Sequence, residues 1–157
     1  MPEAITRYAV NSTLGTSDFK PLDQIITGQK RLVASENLYC PVYGYTYFRS
    51  DEVTSPKVID LFRFKHVNGS FKLKLNAKRS GGACDISFLK NGQLVKKITL
   101  STSFHDDYTN AVYASKGDII SIKIEFTTGS YSEATINNIN LCADVIDTSA
   151  IELLSEV

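Results

Sequence analysis

The chain is short of the residues from which many proteins build metal or redox sites. It has no tryptophan, one methionine and two histidines. Its three cysteines, Cys40, Cys84 and Cys142, are too widely spaced for a zinc motif, and their odd number leaves at least one thiol unpaired. Each stands in an apolar, strand-like context, so we expect three buried, reduced thiols. We therefore predict neither a metal nor another cofactor.

Catalytic motifs are missing as well. The sequence contains no Gly-x-Ser-x-Gly, no phosphate-binding loop, no Gly-x-Gly-x-x-Gly and no His-Glu-x-x-His. His105, Asp106 and Asp107 are of types that bind metals, but adjacent residues seldom converge on one ion, so a polar turn explains them better. We predict that the protein is not an enzyme and has no catalytic residues.

The charges cancel, with 17 Lys and Arg against 17 Asp and Glu. Neutrality gives no overall attraction to nucleic acid, and no run approaches the roughly 20 apolar residues of a membrane span. The N-terminus has no basic start followed by an apolar run, so we expect no signal peptide. The charges are segregated: residues 57–97 are mostly basic and residues 104–157 mostly acidic. This predicts either a solvated lysine face or matching surfaces between copies of the chain.

What the sequence does contain is alternation with a period of two. From Phe71 to Lys78 the odd positions are apolar and the even ones polar, and residues 120–126 alternate in the same way. Such alternation is typical of strands with one buried face. The phase breaks within residues 59–64 and again at Asn137-Asn138, which predicts a β-bulge in each strand.

Turn residues separate these runs at short intervals. Asn68-Gly69 and Asn91-Gly92 each stand between two strand-like runs, which predicts two hairpins. The spacing predicts an all-β fold, a single antiparallel β-sandwich. Strands are expected near residues 5–10, 39–48, 57–66, 70–78, 84–90, 93–101, 110–115, 118–127 and 134–146. Core residues are expected to include Leu61, Phe64, Phe71, Leu73, Leu75, Ile86, Phe88, Ile98, Ile120, Ile122, Ile124, Leu141 and Ala143.

The chain reads as one domain with three parts. Residues 1–56 are turn-rich and are expected to pack on or extend the sandwich, whose core spans residues 57–147. Residues 148–157 are expected to be an acidic tail that is a short helix or frayed.

The segment from Tyr39 to Phe48 is the most unusual, because four of its ten residues are tyrosines. An extended chain puts Tyr39, Tyr43, Tyr45 and Tyr47 on one face. Tyrosine rings are flat and apolar with a hydroxyl at the tip, which suits packing against a partner or stacking on sugars. These four tyrosines are therefore the candidate ligand or interface residues, and a core or subunit contact is favoured over a ligand surface.

The order of motifs from Phe71 onward resembles a known group of proteins. An alternating strand is followed by Cys84–Gly92 with its Lys-Asn-Gly turn, by Lys116–Ile122 with its Lys-Gly-Asp strand start, and by Ile136–Leu141. Over residues 57–146 this pattern is similar to the jelly-roll β-sandwich modules of phage and prophage tail, baseplate and fibre proteins. The resemblance implies a jelly-roll-like fold and a non-enzymatic virion component made in the bacterial cytoplasm. Its expected partners are copies of itself, other virion proteins and cell-surface carbohydrate.

Overall fold

The computed structural model of the chain describes residues 32–53, 56–65, 69–144 and 148–155. The predicted strand near residues 5–10 lies outside these ranges. No helix in the described ranges is long and apolar enough to cross a membrane. They contain a 3-10 turn, Thr148–Ala150, and the strands β1 (Ala34–Tyr43), β2 (Thr46–Arg49), β3 (Lys57–Phe64), β4 (Gly69–Gly81), β5 (Cys84–Lys90), β6 (Gln93–Thr99), β7 (His105–Tyr108), β8 (Val112–Ala114), β9 (Ile119–Phe126), β10 (Ser132–Ala143) and β11 (Ile151–Leu153).

The strands form two antiparallel sheets. In the six-stranded sheet, β10 and β4 are central; β1 and β2 pair with β10, while β7 and β8 pair with β4. The five-stranded sheet has the order β11-β3-β9-β5-β6. The predicted fold class, an antiparallel jelly-roll-like β-sandwich, is confirmed.

The core lies between the inner faces of the two sheets. The Phe71 ring on β4 is 6.5 Å from the Phe62 ring and 5.1 Å from the Phe64 ring, both of which stand on β3 in the other sheet. Burying an aromatic or branched aliphatic side chain of this size contributes about 1.5–3 kcal/mol. Every predicted core residue is buried, and the core also includes Phe62, Ala134, Ile136 and Ile139.

Both predicted phase breaks are β-bulges. The register between β3 and β9 shifts between Asp60 and Phe62, and that between β10 and β4 shifts between Ile136 and Asn138. Each bulge returns the next apolar residues to the inner face, since one extra residue in a strand reverses the alternation.

The two predicted hairpins have different outcomes. Asn91 and Gly92 have φ values of 51° and 81° and connect the paired strands β5 and β6, as a tight hairpin requires. The hairpin at Asn68-Gly69 was wrong, because β3 and β4 belong to different sheets. Gly69 has a φ of 136° and forms a parallel bridge with Leu32, whose carbonyl accepts a 3.0 Å hydrogen bond from the Ser70 amide. The chain therefore crosses between sheets at the position where the sequence predicted a reversal.

Two short strands were not predicted. Strand β7 pairs with β4, although its sequence, His-Asp-Asp-Tyr, has no apolar alternation. Residues 148–153, expected to be a helix or a frayed tail, form the 3-10 turn and β11, which pairs with β3. In the described part of the chain, both strands lie at the ends of their sheets' strand orders and have one neighbouring strand each, so pairing constrains their sequences less than it constrains a central strand.

Candidate functional site

The six-stranded sheet turns one polar face away from the core. The even-numbered residues from Lys72 to Lys78 on β4 are half-buried, whereas the odd-numbered residues between them are buried. We call this surface the outer face. On the two central strands it consists of Lys72, Lys74, Asn76 and Lys78 on β4, paired respectively with Cys142, Asn140, Asn138 and Thr135 on β10.

Three of the four candidate tyrosines are exposed. Tyr39 pairs with Cys142 and Tyr47 with Thr135, so both stand on the outer face, with 70% and 53% of their surface exposed. Tyr45 directly precedes β2 and is 67% exposed.

Tyr43 is buried, with 7% of its surface exposed, so its predicted place beside the other three was wrong. It pairs with Ile139 of the inner face. The cause is a register shift between Pro41 and Tyr43: two steps along β1 oppose a single step along β10, which reverses the alternation of side chains.

Two exposed aromatic rings, those of Tyr47 and Phe104, belong to a row of side chains that runs from β2 across β10 and β4 to the residue before β7. Tyr47 on β2 pairs with Thr135 on β10, and Thr135 pairs with Lys78 on β4. Phe104, which directly precedes β7, lies beyond Lys78: its ring centroid is 4.9 Å from Lys78 Nζ. We call these four residues the cross-strand row. At about 4.8 Å between neighbouring strands, its two aromatic ends are about 14 Å apart.

Phe104 was missed by the sequence reasoning. It is 44% exposed, and nothing in its local sequence distinguishes it from a loop residue. Its place in the row follows from the pairing of Ala77 with His105, which sets Phe104 opposite Lys78. Finding Phe104 from the sequence would require the register of β7 against β4, and β7 itself was not predicted.

The lysines of the outer face have different partners. Lys72 Nζ is 2.9 Å from Glu36 Oε2, and Lys74 Nζ is 3.7 Å from Asp106 Oδ2. Lys78 contacts the face of the Phe104 ring, a cation–π contact that contributes about 0.5–1 kcal/mol at an exposed position. The segregated basic and acidic segments of the sequence therefore meet partly within one molecule.

One end of the outer face, beyond the cross-strand row, is closed by a charged cluster. Arg49 pairs across the strands with Glu133, and its guanidinium lies 5.9 Å from the centroid of the Tyr131 ring. The Tyr131 hydroxyl donates a 2.7 Å hydrogen bond to Glu133, which raises the pKa of Tyr131. Glu52, with smaller contributions from Tyr131 and Asp51, raises the pKa of Arg49. Arg49 Nε lies 3.6 Å from both Asp51 Oδ1 and Glu52 Oε1, but it is buried and has no hydrogen-bond partner among the described residues, so charge holds this cluster together.

Metal-binding and nucleophilic groups are sparse in the described ranges. No three His, Cys, Asp or Glu side chains there are placed to hold a metal ion. His105 Nδ1 is 3.2 Å from Asp107 Oδ2, with the His105 side chain largely exposed.

The three thiols are free, as expected, although Cys40 is only partly buried. Burial, reinforced by the charge of Asp85, raises the pKa of Cys84 to about 12. Burial also raises the pKa of Cys40 and of Cys142. Thiols with raised pKa values are protonated near neutral pH and are poor nucleophiles.

Several solved structures resemble the chain weakly. The CBM36-1 domain of a multidomain xylanase from the hindgut metagenome of Trinervitermes trinervoides has a TM-score of 0.46 and 8% identity, over 66% of this chain and 100% of that one. A GH26-CBM35 β-(1,4)-mannanase from Podospora anserina has a TM-score of 0.46 and 10% identity, over 70% of this chain and 28% of that one. The carbohydrate-binding module CBM36 in complex with calcium and xylotriose has a TM-score of 0.43 and 11% identity, over 71% of this chain and 92% of that one. No protein-family model and no curated protein sequence matches the chain. At these TM-scores the superpositions assign no ligand, and the fold assignment rests on the strand pairing itself.

Proposed function

We propose that the chain is a non-catalytic module that binds carbohydrate on the outer face of its six-stranded sheet. The observation that carries this proposal is the cross-strand row, in which the exposed rings of Tyr47 and Phe104 flank the Thr135 hydroxyl and the Lys78 ammonium. Flat aromatic faces pack against the C–H faces of sugar rings, and the polar groups between them can hydrogen-bond to sugar hydroxyls. Such a combination is suited to a ligand that is apolar on its faces and polar at its edge.

The strands hold this row in place before a ligand arrives. Tyr47, Thr135 and Lys78 stand on hydrogen-bonded strands, and Phe104 directly precedes a fourth. A backbone that is already held in strands loses less entropy on binding than a loose loop does. Because the row runs across neighbouring strands of one sheet face, it offers a surface to an extended ligand.

The other two exposed candidate tyrosines, Tyr39 and Tyr45, indicate the length of that ligand. Tyr45 is close to Tyr47 in sequence, and Tyr39 stands opposite Cys142, further along β10. From the rise of about 3.3 Å per residue, Tyr39 and Tyr47 are separated by about 20 Å along the sheet. A polysaccharide chain, rather than a single sugar, would reach both.

Affinity electrophoresis of the intact chain against a panel of neutral and acidic polysaccharides tests the proposal. We expect retardation by at least one polysaccharide. Tyr47→Ala and Phe104→Ala should each weaken that binding by about tenfold, equivalent to about 1.4 kcal/mol. Tyr47→Phe keeps the ring and should retain most of the affinity if stacking dominates.

A matched control comes from the other sheet. Leu94 is 62% exposed on β6, so Leu94→Ala also removes an exposed apolar side chain but lies away from the outer face. It should leave the retardation unchanged. Equal losses in Leu94→Ala and Tyr47→Ala, or no retardation by any polysaccharide, would contradict the proposal.

A second candidate function is that of a self-associating component of a phage or prophage tail-like particle, located in the virion. The observation that favours it is β1, which is an edge strand among the described residues and on which Leu38 and Tyr39 are 49% and 70% exposed. An exposed edge with apolar side chains can pair with a second copy of the chain. Light scattering coupled to size-exclusion chromatography, at low and at high salt, should then give a multiple of 17.4 kDa. A monomer mass under all conditions would exclude a homo-oligomer.

A further inference from the structure

Lys78 differs from the other lysines of the outer face, because it has no acidic partner within residues 32–53, 56–65, 69–144 and 148–155. Lys72 is paired with Glu36 at 2.9 Å, and Lys74 with Asp106 at 3.7 Å. Within the described part of the chain, no carboxylate lies within ion-pair distance of Lys78, whose ammonium instead lies over the Phe104 ring.

Two acids that stand two residues from members of the cross-strand row, Asp106 from Phe104 and Glu133 from Thr135, already have other partners. Asp106 accepts a 2.7 Å hydrogen bond from Asn76 Nδ2 as well as pairing with Lys74. Glu133 accepts the 2.7 Å hydrogen bond from the Tyr131 hydroxyl. The remaining members of the row, Tyr47, Thr135 and Phe104, have no carboxylate. Among the described residues, one positive charge therefore lies between the two aromatic rings without a paired carboxylate.

We propose that the polysaccharide bound on the outer face is acidic, and that its anionic group, a sugar carboxylate or a sulfate ester, pairs with Lys78. This inference rests on the proposed function. A neutral sugar lying over the row would cover the Lys78 ammonium without supplying a counter-charge, whereas an anion supplies a charge-assisted hydrogen bond. Lys78 thus selects the charge of the ligand, while Tyr47 and Phe104 hold its rings.

The test starts from the polysaccharide that binds most tightly in a panel containing xylan, mannan and dextran together with polygalacturonate, alginate and dextran sulfate. That polysaccharide is measured by calorimetry before and after its carboxylates are reduced or its sulfates are removed. We expect an acidic member to bind most tightly and to lose about tenfold or more in affinity when its charge is removed. The reduction and desulfation arms separately identify the carboxylate or the sulfate as the anion.

Variants locate the charge on the protein. Lys78→Met should weaken binding of the acidic polysaccharide about tenfold, and Lys78→Arg should restore most of it. Lys72→Met is the matched control, because it removes the same charge from the same strand and face but from a lysine that already has an acidic partner; it should change the affinity less than twofold. Raising the ionic strength from about 0.01 M to 0.15 M shortens the Debye length from about 30 Å to about 8 Å, so it should weaken binding of the acidic polysaccharide only.

The outcomes separate the two proposals. Tightest binding to a neutral polysaccharide, with Lys78→Met unaffected, would overturn the acidic ligand and leave carbohydrate binding intact. Equal losses in Lys78→Met and Lys72→Met would indicate diffuse attraction and overturn the specific role of Lys78. No binding to any member of the panel would overturn both proposals.

Discussion

The crossing between the two sheets at Gly69 can be tested by adding a single methyl group. In Gly69→Ala the new Cβ would overlap the backbone carbonyl of Leu32 and lie 2.7 Å from the Leu32 amide nitrogen. The φ of 136° is a conformation that residues with a Cβ rarely adopt, at a cost of about 1–3 kcal/mol. Separating the two backbones would also lose the 3.0 Å bond from the Ser70 amide to the Leu32 carbonyl, worth about 1 kcal/mol. We expect Gly69→Ala to lower the free energy of unfolding by about 3–4 kcal/mol in urea denaturation, and to lower Tm by about 10 °C.

Gly92→Ala is the matched control for this prediction. Gly92 also has a positive φ, 81°, but no atom lies within 4 Å of the position that its Cβ would take. The control therefore bears only the conformational cost, about 1–2 kcal/mol. If the two variants lose equal stability, the close approach of Leu32 to Gly69 contributes nothing to stability, and this explanation of the loss in Gly69→Ala is refuted.

Two further predictions concern buried polar groups. The buried Leu73 amide donates a 3.0 Å hydrogen bond to Thr109 Oγ1. Thr109→Val keeps the shape of the side chain but removes this acceptor, so we expect the free energy of unfolding in urea denaturation to fall by about 1–3 kcal/mol. Thr127→Val, at an exposed position, should change stability by no more than about 0.5 kcal/mol. Burial raises the pKa of Cys84 to about 12 from its ordinary value of 9.0, so the thiol ionises first in the unfolded chain. The stability from this group is therefore intact below about pH 9 and is lost as the pH rises towards 12. The alkaline decline in unfolding free energy should be shallower in Cys84→Ala, and an identical slope would contradict the raised pKa.

The fold could be predicted in large part because its signals are local. Alternation at residues 71–78 and 120–126 identifies both a strand and its buried face, and the two phase breaks locate their bulges. Sheet membership is not local, which is why Asn68-Gly69 was misinterpreted: the same turn residues serve a reversal within a sheet and a crossing between sheets. The short strand β7 was not predicted for a related reason, because it forms by pairing with β4 and its own composition carries no strand pattern.

The candidate site was predicted only in part. The tyrosine-rich segment was identified from composition, but the bulge that turns Tyr43 inward depends on how β1 meets β10. Lys78 and Phe104 carry no distinguishing pattern in the sequence, and they become neighbours only through strand register. The periodicity within one strand does not show which other strands lie beside it, so a surface built from several paired strands could not be predicted from it.

The position of β10 also affects the order in which the chain can fold. Strands β1 and β2 have β10 as their only strand partner among the described residues, and the hydrogen bond from Asn37 to Asp144 joins residues 107 positions apart. During synthesis, β1 and β2 cannot form this pairing until β10, which ends at Ala143, has been made. Non-local pairing of this kind gives folding times of milliseconds to seconds, against microseconds to milliseconds for helical bundles. Nascent chains that stop short of β10 would therefore leave two aromatic strands unpaired and prone to aggregate.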